Sequence, residues 1–236
     1  MKALRPSLHP SGSGIIASVC ARPLGSEGEA RAAEEPRPPI VALVCSAGGL
    51  QALTAVLGGL PADFGAAVVV AQHQQPTHPS HLSELLARRC LLPVVPAEPG
   101  RPLRPGVVVV VPAGTHALVT LDGRLALIAS DGPPPYRRSA DLLFTSLALV
   151  AAGRTIGVIL SGGGSDGATG ATALHDFGGT VILSDRASSE HFSMPGAAIG
   201  RDGVVDHVVP LGDIARLLVT LLAEVTPAPS AAGGAS

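Results

Sequence analysis

Short, continuous apolar runs alternate with longer stretches of helical periodicity over most of this chain, and the alternation predicts an architecture. Residues 40–45 and 66–71 read as buried strands, and helices follow them over 49–60 and 80–89, the second opened by a serine cap. The pattern changes between 94 and 128, where only short Val and Leu runs appear, broken by Pro105-Gly106 and Asp122-Gly123. The second pair has the composition of a hairpin turn, so this insert is expected to be antiparallel. Regular alternation returns with a helix over 140–152, a strand over 155–160, a helix over 166–177 and a strand over 180–183. A short helix near 194–199, a strand around 204–209 and an amphipathic helix over 213–224 complete it, and no segment repeats another. Strands too apolar to face solvent, separated by helices, predict a three-layer, doubly wound α/β domain with a mostly parallel sheet and a short antiparallel insert.

The ends differ from this middle. Residues 1–38 are rich in Pro, Gly, Ser, Ala and mixed charge and read as a disordered leader, and 226–236 as a tail of the same character, which leaves 39–225 as the folded domain. Composition narrows the function classes. Of 236 residues 46% are hydrophobic and 14% charged, which suits one substantial domain with its own core. The net charge is −2, Lys2 is the only lysine, and aromatic residues make up 2% with no Trp and the single Tyr136. A chain with neither a basic face nor a stacking platform is not expected to bind nucleic acid. The apolar runs, such as 107–111 and 156–160, are far below the ~20 residues that span a bilayer, so no membrane insertion is expected. Residues 15–21 follow Lys2 and Arg5 somewhat as the core of an export signal would, but Ser18 interrupts them and export is not expected. Cys20, Cys45 and Cys90 are odd in number, far apart and without Cys-x-x-Cys spacing, which points away from disulfides and structural zinc and toward the cytoplasm.

Three segments leave apolar runs carrying chemically capable side chains: Ser46 in Val44-Cys45-Ser46-Ala47-Gly48-Gly49, His73 in Ala71-Gln72-His73, and Asp166 in Ser161-Gly162-Gly163-Gly164-Ser165-Asp166-Gly167. In a parallel sheet the residues leaving the carboxyl ends of strands converge on one edge, and a Ser, a His and an Asp meeting there would form an acyl-transfer triad. Ser46 would stand on a tight strand-to-helix turn, with backbone N–H groups of the following helix facing a developing oxyanion. The segment is not a G-x-S-x-G elbow, because Val44 holds the first glycine position, and the alternative role for Ser46 is to cap the helix. His73 suits a general base, since an imidazole both takes and returns a proton near neutrality. A metal site using His73, His78, His81 and Asp166 competes with this, but the local spacing lacks the i, i+4 pairing that puts two ligands on one helical face. The glycines around Asp166 could instead cradle a phosphate, without the Lys-Ser/Thr of a P-loop or the dinucleotide fingerprint, and Asp166 could simply cap the next helix. Cys45 adjoins Ser46, but strand alternation turns it to the opposite face, where a buried structural thiol is expected.

In this order the three segments resemble the catalytic domain of the CheB family of bacterial chemotaxis methylesterases. The resemblance runs from about Ile40 to Leu222 and takes in Pro105-Gly106 through Val111-Pro112-Ala113-Gly114-Thr115-His116, Asp141-Leu142-Leu143-Phe144, and Phe192-Ser193-Met194-Pro195-Gly196-Ala197-Ala198-Ile199. It implies hydrolysis of glutamyl methyl esters on chemoreceptors, and for some members deamidation of receptor glutamines. By the resemblance Ser46 is the nucleophile, His73 the base and acid, and Asp166 the orienting carboxylate, with backbone N–H groups at His73 and Gly163 supporting the oxyanion and no metal or organic cofactor. The expected partners are the cytoplasmic helices of methyl-accepting receptors and a separate response regulator. Three positions depart from the family's usual pattern: Ala47 where Thr is common, Gly163 where Met is, and Ser165 where Asn is. Residues before Ile40 are too few and too polar for the receiver domain that members often carry, so control by an attached receiver is not expected. Two rivals remain: a catalytically weak member serving as an interaction module, and a serine hydrolase for another ester.

Overall fold

The structure is a computed structural model, described here for residues 37–74, 80–130 and 138–225. The expected leader, apart from residues 37 and 38, and the expected tail lie outside the described residues.

The apolar runs form the sheet. Strand β1 spans Ile40–Cys45, β2 Ala67–Gln72, β3 Val94–Pro96, β4 Val108–Val110, β5 Thr115–Val119, β6 Leu125–Ala129, β7 Thr155–Ile159, β8 Thr180–Ser184 and β9 His207–Val209. Seven of them make one sheet in the order β3-β4-β2-β1-β7-β8-β9, every neighbouring pair parallel. The helices are α1 Gly49–Gly58, α2 Leu82–Ala87, α3 Ser139–Ala151, α4 Ala168–Asp176, α5 Ser193–Ile199 and α6 Ile214–Val225.

Strand alternation divides the core in two. Ala42 and Val44 of β1 and Val69 and Ala71 of β2 join a cluster with Leu143, Phe144 and Leu147 of α3, Leu174 of α4 and Met194 of α5. Val41, Leu43 and Cys45 point the other way, with Leu53 and Leu57 of α1, Leu86 of α2 and Leu218 of α6. Helices therefore cover both faces of a parallel sheet, as the continuous apolar runs require. Among the described residues no helix is long and apolar enough to cross a membrane.

The antiparallel insert is smaller than the sequence pattern predicts. β3 and β4 belong to the parallel sheet, and only β5 and β6 form an antiparallel hairpin, turning at Asp122-Gly123. A short extension runs beside it, with Pro102 bridged to Arg124 and the Gly100 N–H bonded to Leu125 O at 2.8 Å. The physical reason lies in length and burial. Three-residue strands are too short to display a period, and the unbroken valines of β4, buried on both faces, are the signature of an inner parallel strand. Five other elements are shorter than expected: α1, α2, β7, β9 and α4, which starts two residues after Asp166. Ser80 lies beyond α2, where its hydroxyl accepts the Leu82 N–H at 3.3 Å.

One position of the sheet leaves no room for a side chain. A Cβ on Gly157 of β7 would lie 2.5 Å from Leu174 Cδ1 and 3.2 Å from Phe144 Cζ. Gly157→Val is therefore expected to destabilise the domain by about 1–3 kcal/mol through overpacking. Urea unfolding of the two proteins checks this; an unchanged midpoint would show that α3 and α4 are not packed against β7 as described.

Candidate active site

The three sequence-selected segments leave β2, β1 and β7, which are adjacent strands at the middle of the sheet. The β1–β2 register pairs Cys45 with Gln72, so Ser46 and His73 emerge side by side one residue later. The Ser46 N–H bonds to Ser161 O at 2.9 Å, which ties the residue past β1 to the end of β7.

The turn after Ser46 is tight, with the Gly49 N–H bonded to Ser46 O at 3.0 Å. Gly48 makes it with φ 72°, a left-handed conformation that side chains disfavour, and a Cβ there would meet Ser161 Oγ at 2.6 Å. Gly48 also stands at the start of α1, and no side chain caps that helix. The Ser46 hydroxyl is thus not engaged as a cap. On the other side of the serine, a Cβ on Gly162 would lie 3.0 Å from Ser46 Cβ and 2.2 Å from Met194 Sδ, so the β7 loop presses directly against Ser46.

His73 Nε2 and Asp166 Oδ2 are 2.6 Å apart, with the histidine 24% and the aspartate 8% exposed. Asp166 Oδ2 also accepts the Ala140 N–H at 2.9 Å and Oδ1 the Asp141 N–H at 3.0 Å. These are first-turn donors of α3, so the carboxylate sits at the positive end of a 13-residue helix. Burial pushes the Asp166 carboxyl up, but the bonds from His73, Ala140 and Asp141 outweigh it and hold the group below the usual carboxylate range. An ionised Asp166 only accepts, so Nε2 carries the imidazole proton and Nδ1 is left as the basic nitrogen.

Asp166 therefore caps α3 and not the helix that follows it. The capping of α4 comes from Asp141, whose Oδ1 accepts the Gly167 and Gly170 N–H groups at 3.0 and 2.8 Å. Each helix start is satisfied by a carboxylate belonging to the other segment. Arg138 Nη1 reaches Asp141 Oδ2 at 2.9 Å. Asp141 has no role in the sequence reading, although a buried acid in an otherwise apolar helical stretch was the available signal. Ser161 was likewise missed: its Oγ donates to Ala47 O at 2.8 Å and accepts the His191 N–H at 2.9 Å, so it stitches the serine turn to the loop before α5.

Ser46 and His73 line one open cleft of about 620 Å³, with Ala47, Gly48, Gln72 and Glu190 among its walls. No hydrogen bond joins Ser46 to His73, whereas His73 and Asp166 are bonded; catalytic contacts without substrate are often loose and tighten in the complex. The expected oxyanion support needs correction at one residue. The His73 N–H bonds to Cys45 O at 3.0 Å as a rung of the sheet and is not available to a ligand. Gly163 is exposed, with open space where a side chain would stand. The N–H groups of Ala47, Gly48 and Gly163 carry no hydrogen bond to a described residue.

His78 lies outside the described residues, and His81 is exposed and pairs with Glu84 at 3.3 Å. Among the described residues no group of three or more His, Cys, Asp or Glu side chains is placed to hold a metal ion. Cys45 is buried on the opposite face from Val44, and burial pushes its thiol far above the ordinary range.

Comparison with known proteins agrees with this architecture. The profile of the CheB methylesterase family matches residues 41–218. A protein-glutamate methylesterase/protein-glutamine glutaminase of Cupriavidus pinatubonensis is 38% identical over 80% of this chain and 55% of its own length. One of the same description from Cupriavidus metallidurans is 40% identical over 84% of this chain and 60% of its own length. The chain thus spans a little over half the length of these curated relatives. The crystal structure of the Thermotoga maritima CheB methylesterase catalytic domain superposes with a TM-score of 0.72 at 31% identity, covering 79% of this chain and 100% of that one. The chain belongs to the CheB methylesterase family.

Proposed function

We propose that this chain hydrolyses glutamyl methyl esters on the cytoplasmic helices of chemoreceptors, with Ser46 as nucleophile, His73 as general base and acid, and Asp166 as the carboxylate that orients His73. The observation that carries the reading is the convergence, from three adjacent strands, of Ser46 and the His73–Asp166 pair on one cleft. Ser46 Oγ attacks the ester carbonyl carbon as His73 Nδ1 takes its proton, forming a tetrahedral oxyanion. Backbone donors at Ala47, Gly48 and Gly163 face the developing charge. Collapse of the intermediate expels methanol, which receives the proton from His73, and leaves a glutamyl ester on Ser46. Water, deprotonated by His73, then attacks that ester, and Ser46 leaves with the proton while the glutamate carboxylate is released. With a glutamine side chain the same steps expel ammonia, the reaction that the glutaminase in the relatives' names describes. No step needs a metal or organic cofactor. An open cleft suits side chains presented on a long receptor helix, the reaction belongs in the cytoplasm, and a response regulator is the expected controlling partner.

The primary test is methanol release from a methylated receptor fragment. Ser46→Ala is expected to lower it by at least about 10³-fold with little change in stability. Undiminished release from the variant would remove Ser46 from the mechanism, and no release from either protein, with the receptor still bound, would favour an interaction module.

Asp141 is expected to act through Asp166. Asp141→Ala removes the acceptor of two α4 N–H groups and should cost about 1–2 kcal/mol of stability. It should lower kcat with little change in KM, while Asp141→Asn, which keeps a carbonyl acceptor, recovers much of both. Thermal unfolding and methanol-release kinetics check this together; a kcat insensitive to both substitutions would show that the crossed caps do not position Asp166.

Asp166 also predicts an acid limb of stability. Its folded pKa lies below the unfolded value of 3.8, so its contribution is complete above that value and disappears as pH falls through the folded one. Asp166→Asn should therefore be less stable than the parent at neutral pH, with the difference shrinking toward about pH 2. Urea midpoints of both proteins across that range measure it; a difference independent of pH would contradict an ionised Asp166.

A further inference from the structure

The cleft carries a charge that the proposed mechanism does not use. Among the described residues His73 and Glu190 are the only ionisable side chains lining it, and in an adjoining pocket of about 300 Å³, walled by Gln51, Ser161, Ser188, Ser189 and Leu211, Glu190 is the only ionisable side chain among the described residues. Glu190 stands at the join of the two. A Cβ built on Gly48 would lie 2.8 Å from Glu190 Oε2 and 2.9 Å from its Cβ, so this side chain lies across the turn that follows Ser46.

An exposed glutamate is usually part of a solvated face, and Glu190 is 57% exposed. Its position is nevertheless fixed by the chain around it. The next residue is held to the β7 loop on both sides of its peptide: the His191 N–H bonds to Ser161 Oγ at 2.9 Å and His191 O accepts the Gly162 N–H at 2.9 Å. The Met194 N–H then bonds to Gly162 O at 3.0 Å. The β7 loop that presses on Ser46 therefore also holds the residue next to Glu190, which stands at the rim in the segment between β8 and α5. The charges facing it are few. His191 Nε2 stands 3.5 Å from Glu190 Oε1, and His73 is already paired with Asp166.

We propose that Glu190 sets the charge selectivity of the cleft: it favours substrate segments with a cationic side chain beside the reacting glutamyl ester and disfavours segments with an anionic one. This rests on the esterase reading of the same site. The physical basis is a negative charge in a cleft lined otherwise, among the described residues, by neutral groups and one paired histidine; such a charge attracts a nearby cation and repels a nearby anion. Because Glu190 is partly solvated, the effect is modest and is screened by salt.

The test separates binding from turnover. Two fluorescent peptides, identical except for Lys or Glu beside a glutamyl methyl ester, are titrated against the full chain carrying Ser46→Ala, with and without Glu190→Gln. At low salt the Lys peptide is expected to bind about two- to fivefold more tightly than the Glu peptide. The ratio should fall toward one with Glu190→Gln and at high salt, and Glu190→Asp should restore part of it. A ratio in the Glu190→Gln protein that is the same as in the protein keeping Glu190, or no measurable binding of either peptide, overturns the proposal. Methanol release from the same peptides by the unmodified protein is the separate readout. Charge-dependent binding without release would sink the esterase reading and leave Glu190 selective, whereas release with a ratio unchanged by Glu190→Gln would sink the selectivity alone.

Discussion

The site depends on how one buried carboxylate is kept charged. Asp166 is 8% exposed, and an ion in such surroundings costs several kcal/mol unless its oxygens are hydrogen-bonded. Two of its three bonds come from backbone donors at the start of α3, so most of the compensation is in place before His73 is considered. Those donors belong to the fold and cannot rotate away. The third bond, to His73 Nε2, is then a consequence of the scaffold, and the imidazole acquires its orientation and tautomer from a group that is itself fixed. The reciprocal bonds from Gly167 and Gly170 to Asp141 close the arrangement, so neither helix start is satisfied without the other.

The remaining constraint is the parallel ladder. Adjacent strands deliver Ser46 and His73 in register, and that same ladder takes up backbone N–H groups as it ends. The His73 N–H goes to Cys45 O and the Ser46 N–H to Ser161 O, which leaves the N–H groups of Ala47 and Gly48 in the following turn and of Gly163 in the β7 loop without a hydrogen bond to a described residue. The left-handed residue of this turn is Gly48, two positions beyond the serine. In the G-x-S-x-G elbow the strain falls on the serine itself; here a glycine bears it, and close packing of Gly162 holds the serine from the other side.

Much of this was legible in the sequence, and what was not has a common cause. Ser46, His73 and Asp166 each follow an apolar run, and the rule that parallel strands converge at their carboxyl ends is enough to group them. Asp141 could not be grouped that way. Its bonds reach Gly167 and Gly170, more than 25 residues away on another helix, and no local spacing encodes the crossing of α3 with α4. The His73 N–H failed as an oxyanion donor for a related reason, because whether an N–H is free depends on the neighbouring strand and not on its own residue. β3 and β4 were misassigned since three-residue strands carry no period, and their parallel pairing is fixed only by the sheet they join.

The departures from the family's usual residues can now be placed. Ala47, Gly163 and Ser165 are all exposed, whereas Ser161, Gly162 and Asp166, which shape or charge the site, are buried, as is Asp141. Open space surrounds the Gly163 Cα, and its φ is outside the left-handed region, so a larger side chain there would project into solvent without disturbing the loop. The backbone N–H at that position does not depend on the side chain that accompanies it. The loop that carries Gly163 is anchored on either side, by the Gly162 N–H to His191 O and by the Asp166 carboxylate at α3, which confines the extra freedom of glycine to the exposed residues between. Variation at these three positions therefore alters exposed surface, while the hydrogen bonds that orient His73 are made by buried groups and are untouched.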